Sequence, residues 1–166
     1  MREIDDGVAA PSAVPWPPLI FGAAAIAAIG LARERPLRRR LPTGVRALGA
    51  AALAAGLGLD VAAMATMRQH RANILPHRPA TALVTSGPFA LTRNPIYLGN
   101  TLALAGAGLL FSNLWLPLGA ALAARATTAL AIAPEERHMA ARFGEDWAAY
   151  AQSVPRWLWA GPRPAR

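Results

Sequence analysis

Two short polar segments of this sequence carry the side chains best suited to chemistry, and each lies at one end of an apolar run. The first segment holds Arg93, Asn94 and Tyr97, and the second holds the adjacent acids Glu135 and Glu136. Carboxylates accept hydrogen bonds from ammonium and hydroxyl groups, whereas arginine donates a fork of two hydrogen bonds to a carboxylate. Around an apolar cleft, these groups would suit a zwitterionic ligand with an aromatic part.

The two apolar runs between these segments predict that the segments meet. Ser112 and Asn113 separate a run over 95–111 from a run over 114–133, which indicates a helical hairpin. Because a hairpin returns the chain to the face from which it started, we expect the Arg–Asn–Tyr group beside the two acids. Gly99 permits close approach of a ligand or of a neighbouring helix.

The distribution of apolar residues favours a membrane location for these helices. Hydrophobic residues make up 54% of the 166 residues and fall in blocks rather than in stripes. We predict an all-α polytopic membrane protein, forming a single domain over 1–166. Its predicted parts are about four transmembrane helices over 16–32, 45–67, 95–111 and 114–133, a connection over 68–93, and a C-terminal amphipathic helix over 134–154.

The predicted amphipathic helix follows from apolar residues that recur every three or four positions after Pro134. Glu135 and Glu136 would occupy its first turn, where the helix dipole favours negative charge. We interpret it as a surface helix or a lid over the bundle, whose stripe need not touch a ligand. The stripe consists of Met139, Phe143, Trp147, Tyr150 and Val154.

Charge and residue types exclude several classes of function. The net charge is +8, but all seventeen basic residues are arginine and nearly all flank apolar blocks, so no nucleic-acid partner is predicted. The absence of cysteine excludes disulfides and thiolate metal sites. His70, His77 and His138 lack the spacing of metal ligands and are expected on the surface, so no metal is predicted.

Four residues inside the apolar blocks have specific interpretations. Gly106 and Gly108 are predicted to pack against neighbouring helices, since small residues let membrane helices approach. Asp60 and Arg125 are ionisable groups at membrane depth. Such groups are functional candidates, although the two residues can instead pair with each other structurally, and the sequence leaves both interpretations open.

The ordered set of motifs resembles the isoprenylcysteine carboxyl methyltransferase-like family, whose relatives include the phospholipid N-methyltransferases. The resemblance covers roughly residues 70 to 158 and is typical of a bacterial member. Asn94 stands where eukaryotic members have histidine, and Trp147 replaces a tyrosine. The motifs are Arg93-Asn94-Pro95-Ile96-Tyr97-Leu98-Gly99, then Glu135-Glu136, then Phe143-Gly144.

This resemblance implies a membrane methyltransferase that uses S-adenosylmethionine. We predict catalytic roles for Glu135, Glu136 and Arg156, with Arg156 near the polar end of the acceptor. The acceptor is expected to be a lipophilic carboxylate, a phospholipid amine or a thiol, and only an amine needs a base. The implied cofactor-binding residues are Arg93, Asn94, Tyr97, Leu98, Gly99, Glu135 and Glu136.

Two alternatives remain open beside this interpretation: a phospholipid N-methyltransferase in the strict sense, and a non-catalytic membrane scaffold that kept the fold. We predict an integral protein of the bacterial inner (plasma) membrane in contact with membrane lipid. The cofactor site is expected to face the cytoplasm, where the cofactor is found. No pattern in the sequence sets the oligomeric state.

Overall fold

The computed structural model describes residues 16–35, 40–73 and 80–158, and within these ranges all regular structure is helical. Three of the described helices are long and apolar enough to cross a membrane, and a further one is apolar but shorter, so the predicted all-α membrane fold is confirmed. The elements are α1 (Trp16–Glu34), α2 (Thr43–Gln69), a 3-10 turn (Gly87–Ala90), α3 (Pro95–Phe111), α4 (Trp115–Thr127), a π-helical turn (Thr128–Ile132) and α5 (Ala133–Ser153).

Helix α4, the π turn and α5 continue without a break through Pro134, where the sequence predicted that one helix ends and the next begins; the helical course breaks only later, at Gly144. Pro134 cannot donate a hydrogen bond, and its ring crowds the carbonyl four residues before it. The π turn directly before this proline widens the helix, and the Ala133 amide donates to the Thr128 carbonyl five residues back. The wider turn therefore accommodates the proline without ending the helix.

This helix is too long to lie wholly inside a bilayer. From Trp115 to the break at Gly144 it spans about 43 Å at about 1.5 Å per residue, whereas the hydrocarbon layer is about 30 Å thick. Its apolar part, 115–133, has the length of one span. We therefore treat the charged remainder, 134–153, as lying outside the membrane-spanning segments.

Helices α2 and α3 pack with their backbones in contact at paired glycines. Gly49 and Gly56 of α2 face Gly106 and Gly99 of α3, respectively. A Cβ atom at Gly106 would lie 2.5 Å from the Leu53 amide nitrogen, and one at Gly49 would lie 2.8 Å from the Gly106 carbonyl oxygen. Such close approach lets van der Waals packing hold membrane helices together. The predicted packing role of Gly106 is confirmed.

The turn between α3 and α4 forms the predicted hairpin. Ser112 adopts the left-handed conformation with φ of 58°, and the Asn113 amide donates to the Gly108 carbonyl at 2.8 Å. The Asn113 side chain then accepts a hydrogen bond from the Trp115 amide at 3.1 Å. Gly108 also lies against Pro117 of α4, so its predicted packing role is confirmed. The hairpin brings the start of α3 to the same membrane face as the π turn.

Alanine at Gly56 is expected to destabilise the α2–α3 pair. Its Cβ would lie 2.5 Å from the Gly99 carbonyl oxygen and 2.6 Å from the Ala103 amide nitrogen, and these backbone atoms cannot rotate away. We expect a loss of about 1–3 kcal/mol, measured as a lower melting temperature in detergent. Gly58 is the matched control, because its Cβ would meet open space on the same helix. Equal melting temperatures for Gly56→Ala and Gly58→Ala would contradict this packing.

Candidate functional site

A cavity of about 310 Å³ lies at the membrane face where α2 ends and where α3 and α5 begin. Its volume is at the lower end of the range of small-molecule sites, roughly 300–1,000 Å³. Pro17 and Pro18 of α1 border it opposite Met64 and Met67 of α2. Its aromatic and polar lining consists of Phe89, Tyr97, Trp147, Tyr150, Arg93, Asn94, Asn100, Glu135, Glu136 and His138, together with Asn73.

The two polar segments singled out in the sequence meet in this cavity. Arg93, Asn94 and Tyr97 line it from the start of α3, and Glu135 and Glu136 line it from the start of α5. The Tyr97 hydroxyl donates to Glu135 Oε1 at 2.7 Å, and Arg93 Nη2 lies 3.3 Å from Glu136 Oε1. The predicted hairpin geometry is therefore confirmed, although these contacts alone do not assign a ligand.

Leu98 and Gly99, the other two residues of the implied cofactor site, do not line the cavity. Leu98 is 3% exposed and packs with Ile132 and Trp157. Gly99 lies against α2, where an added Cβ would be 2.8 Å from the Gly56 carbonyl oxygen. Successive helical residues point about 100° apart, so the two residues after Tyr97 turn away from the cavity. We keep neither in the proposed site and assign both to helix packing.

Glu135 faces the cavity, and its hydrogen-bond partner within the protein is the uncharged hydroxyl of Tyr97. Burial raises the pKa of its carboxyl to about 7, although the hydrogen bond from Tyr97 opposes that rise and the neighbouring Glu136 adds to it. Near neutral pH this group can therefore either accept a hydrogen bond as a carboxylate or carry a proton. Adjacent positions in the sequence gave no reason to distinguish Glu135 from Glu136.

Glu136, in contrast, is bound between two arginines of the protein. Arg156 Nε donates to Glu136 Oε1 at 2.9 Å, Arg156 Nη2 donates to Oε2, and Arg93 approaches from the other side at 3.3 Å. These hydrogen bonds also raise the pKa of the Arg156 guanidinium. The fork geometry of arginine suits such a bidentate pair. Arg156, for which a role at the acceptor was implied, is engaged with Glu136 and does not line the cavity.

The residues after α5, 154–158, return to the start of α3, and we call them the C-terminal strap. The Pro155 carbonyl accepts from the Arg93 amide at 3.0 Å. The Arg156 carbonyl accepts from the Thr92 hydroxyl at 2.9 Å and from the Asn94 side-chain amide at 3.1 Å. Asn94 therefore holds the strap as well as lining the cavity. Thr92, 1% exposed, had no distinguishing feature in the sequence.

Gly144 makes the return of the strap possible. In a straight helix, residues 136 and 156 would be about 30 Å apart at about 1.5 Å per residue, yet their side chains are hydrogen-bonded. Gly144 has φ of 49° and ψ of −118°, which breaks the helical course of α5 at this point. Side-chain-bearing residues adopt such a conformation only with strain. The sequence marked Gly144 as part of a motif but did not indicate a kink.

The apolar stripe of α5 covers the cavity, because Met139, Trp147 and Tyr150 all line it. The Tyr150 hydroxyl donates to the Phe89 carbonyl at 2.7 Å, and the Trp147 and Tyr150 rings pack edge to face with centroids 5.7 Å apart. The Arg93 guanidinium lies 5.5 Å from the centre of the Trp147 ring. Of the two interpretations of the stripe, a lid over the bundle is therefore the one that agrees with the structure.

The expectation of a surface position for His138 is wrong. His138 is 7% exposed, and the Ala80 amide donates to its Nε2 at 3.2 Å, because the connection before the 3-10 turn folds against α5. His70 is exposed, and His77 lies outside the described residues. Among residues 16–35, 40–73 and 80–158, no group of three or more histidine or acidic side chains is placed to hold a metal ion.

Comparison with known proteins identifies the class. A model of the phospholipid methyltransferase family matches residues 45–146, more than half of the chain. The chain belongs to this family. The match includes both polar segments of the cavity and ends within α5, before Trp147, Tyr150 and the strap. Membership of the phospholipid methyltransferase family agrees with the resemblance found in the sequence.

The chain is also similar to a curated protein over part of that protein's length. The cobalt-zinc-cadmium resistance protein CzcN of Cupriavidus metallidurans is 37% identical over 78 residues, which are 47% of this chain and 36% of that protein. The similarity thus spans about a third of the length of that relative. No solved structure is significantly similar to the chain.

Proposed function

We propose that this protein transfers the methyl group of S-adenosylmethionine to a lipophilic or small acceptor at the membrane. The observation that carries the proposal is the meeting of Arg93, Asn94, Tyr97, Glu135 and Glu136 at one cavity in a member of a methyltransferase family. When bound, S-adenosylmethionine supplies an activated methyl carbon on a sulfonium. The protein then has to align the acceptor and exclude water.

The side chains of the cavity fit the chemistry of this cofactor. Glu135 can accept hydrogen bonds from an ammonium or from ribose hydroxyls, and its partner within the protein is the uncharged Tyr97 hydroxyl. Trp147 and Tyr150 offer aromatic faces for an adenine ring or a sulfonium cation. Arg93 has five N–H donors, so it can bind Glu136 and a ligand carboxylate together.

The lining of the cavity also supports a lipophilic acceptor. One border runs between Pro17 and Pro18 of α1 and Met64 and Met67 of α2, all of which present apolar atoms. An acceptor with a lipid tail can therefore approach from the bilayer with its polar end in the cavity. If the acceptor is an amine, Glu135 can take up the proton that the amine must lose, because burial raises the pKa of Glu135 to about 7.

A second candidate is a phospholipid N-methyltransferase in the strict sense, and the family match favours it. The non-catalytic scaffold remains the alternative to both enzymes. For either enzyme we propose the bacterial inner membrane, with the cavity facing the cytoplasm. The proposed catalytic residue is Glu135, and the proposed cofactor-binding residues are Arg93, Asn94, Tyr97 and Glu135.

Two measurements test the proposal on the purified full chain. Calorimetry with S-adenosylhomocysteine should detect binding to detergent-purified protein, and no heat at millimolar ligand would count against both enzymes. Methyl-labelled S-adenosylmethionine with total bacterial lipid extract, followed by thin-layer separation, should then place the label on a lipid. Label on phosphatidylethanolamine products supports the strict phospholipid enzyme, and label on other lipids supports a different acceptor.

A further inference from the structure

Asp60 and Arg125 are ionisable groups of opposite charge inside the membrane-spanning segments, and neither has an ion-pair partner among residues 16–35, 40–73 and 80–158. The ion pairs among the described residues both involve Glu136, so the intrachain pairing that the sequence left open is wrong. Asp60 Oδ1 is buried without a hydrogen-bond partner. Arg125 is exposed on α4. Leaving a charge near the middle of a spanning helix costs about 2.5–3.5 kcal/mol on insertion scales.

The two groups lie at nearly the same depth in the membrane. The Asp60 carboxylate lies directly against Gly99 of α3. Gly108 of α3 lies against Pro117 of α4, so the antiparallel hairpin places Gly99, nine residues back along α3, level with residue 126, nine residues further along α4. The carboxylate and the Arg125 backbone therefore lie within about one helical turn of each other in depth.

Asp60 and Arg125 lie on different sides of the helix bundle, so the two side chains cannot pair within one chain. Helix α2 packs on α3, whereas α4 packs on α3 and α1, and α2 and α4 do not form one of the main helix contacts among the described elements. Arg125 lies midway between the buried residues Ala123 and Thr127, which places it about 180° from the inner face of α4. Asp60 lies on the flank of α2, beside the exposed side chains of Leu57 and Val61.

A second copy of the chain is the partner that meets these charges at the right depth. When two copies are inserted in the same orientation, Asp60 of one copy lies at nearly the same depth in the bilayer as Arg125 of the other. Arg125 is eight residues from the end of the apolar segment at Ala133, or about 12 Å, so lipid phosphates and soluble proteins are distant from it. We infer that the protein self-associates in the membrane, with Asp60 of one copy ion-paired to Arg125 of its neighbour.

This association surface is separate from the proposed active site. Neither Asp60 nor Arg125 lines the cavity. Apolar side chains exposed beside the two charges, Leu57 and Val61 on α2 and Leu118 and Leu122 on α4, would pack around the ion pair. The inference therefore does not depend on the methyl acceptor, and its test needs no activity measurement.

Charge variants of the full chain test the inference by subunit counting in liposomes at fixed protein-to-lipid ratio. Wild type should be associated, and Asp60→Asn or Arg125→Gln should weaken association at least tenfold. The charge-reversed chains Asp60→Arg and Arg125→Asp should each fail to self-associate, yet should associate with one another when co-expressed. Arg68→Gln, at an exposed position at the end of α2, is the matched control and should associate like wild type.

Three outcomes would overturn the inference. They are a monomeric wild type, single variants that associate as strongly as wild type, and no association between the two co-expressed chains when both melt like wild type in detergent. The uncharged variants keep the test valid if charge reversal prevents folding, because Asp60→Asn preserves side-chain size and Arg125→Gln shortens a side chain that is exposed.

Discussion

Glu135→Gln is expected to weaken binding of S-adenosylhomocysteine about ten- to a hundredfold. Glutamine keeps the size of the side chain and can still accept a hydrogen bond from Tyr97, but it removes the negative charge from the cavity. A hydrogen bond to a charged group contributes about 1.5–3 kcal/mol, and each 1.4 kcal/mol is about tenfold in affinity. Calorimetry on detergent-purified protein measures the change directly.

The control for this prediction is Glu145→Gln, which removes an exposed acid from the same helix. Its affinity should equal that of wild type. An unchanged affinity for Glu135→Gln would remove Glu135 from the proposed cofactor site. If both variants lose binding and also melt at lower temperature, the loss reports unfolding rather than recognition, so melting temperatures accompany each titration.

The same prediction carries a pH dependence. Because burial raises the pKa of Glu135 to about 7, the carboxyl is protonated and neutral below that pH and charged above it. A ligand α-ammonium, with a pKa of about 8, keeps its charge as the pH is lowered from about 7. Affinity of the wild type should therefore fall as the pH is lowered through about 7, and Glu135→Gln should flatten this dependence.

Glu136→Gln is expected to destabilise the fold, because Glu136 is the carboxylate that Arg93 and Arg156 share. Breaking a buried ion pair by removing one partner costs about 3–5 kcal/mol. The Glu136 and Arg156 side chains are 17% and 26% exposed, so we expect a smaller loss, about 2 kcal/mol. A melting-temperature decrease in detergent measures it.

Two further variants separate the ion pair from a general loss of packing. Glu136→Gln combined with Arg156→Gln should recover part of the stability, because the excess positive charge beside Arg93 is then reduced. Arg156→Lys keeps the charge but loses the fork, so it should also be less stable than wild type.

Hydrogen exchange of the Arg93 amide, which donates to the Pro155 carbonyl, should speed up whenever the strap detaches. Slow exchange in Glu136→Gln would show that the ion pair does not hold the strap.

Helix content and the hairpin were predictable because they depend on local sequence. An apolar run of about 17 to 25 residues has to satisfy its backbone hydrogen bonds internally in lipid, and helix formation does so. The Ser112-Asn113 turn then fixes antiparallel neighbours, which is sufficient to bring Tyr97 to Glu135. The family resemblance required only the order and spacing of a few motif residues.

The distinct roles of residues within the motifs were not predictable, because they depend on which way each side chain points. Leu98 and Gly99 share a motif with Tyr97 but pack against neighbouring helices. Glu136 is adjacent to Glu135 but binds arginines that lie 43 residues before it and 20 residues after it. Pairings over such distances in sequence leave no local pattern.

The sequence by itself determined that the chain forms a helical membrane bundle and that an arginine, an amide, a phenol and two acids meet at one boundary. Hydrophobic length and turn position are local properties, so no knowledge of the fold was needed for that result. Only the tertiary structure decided that α5 kinks at Gly144 and returns its strap to Thr92 and Asn94. That return pairs Glu136 with Arg156, whereas Glu135 faces the cavity. The sequence does not show this difference, because contacts between distant residues form only when the whole chain is folded.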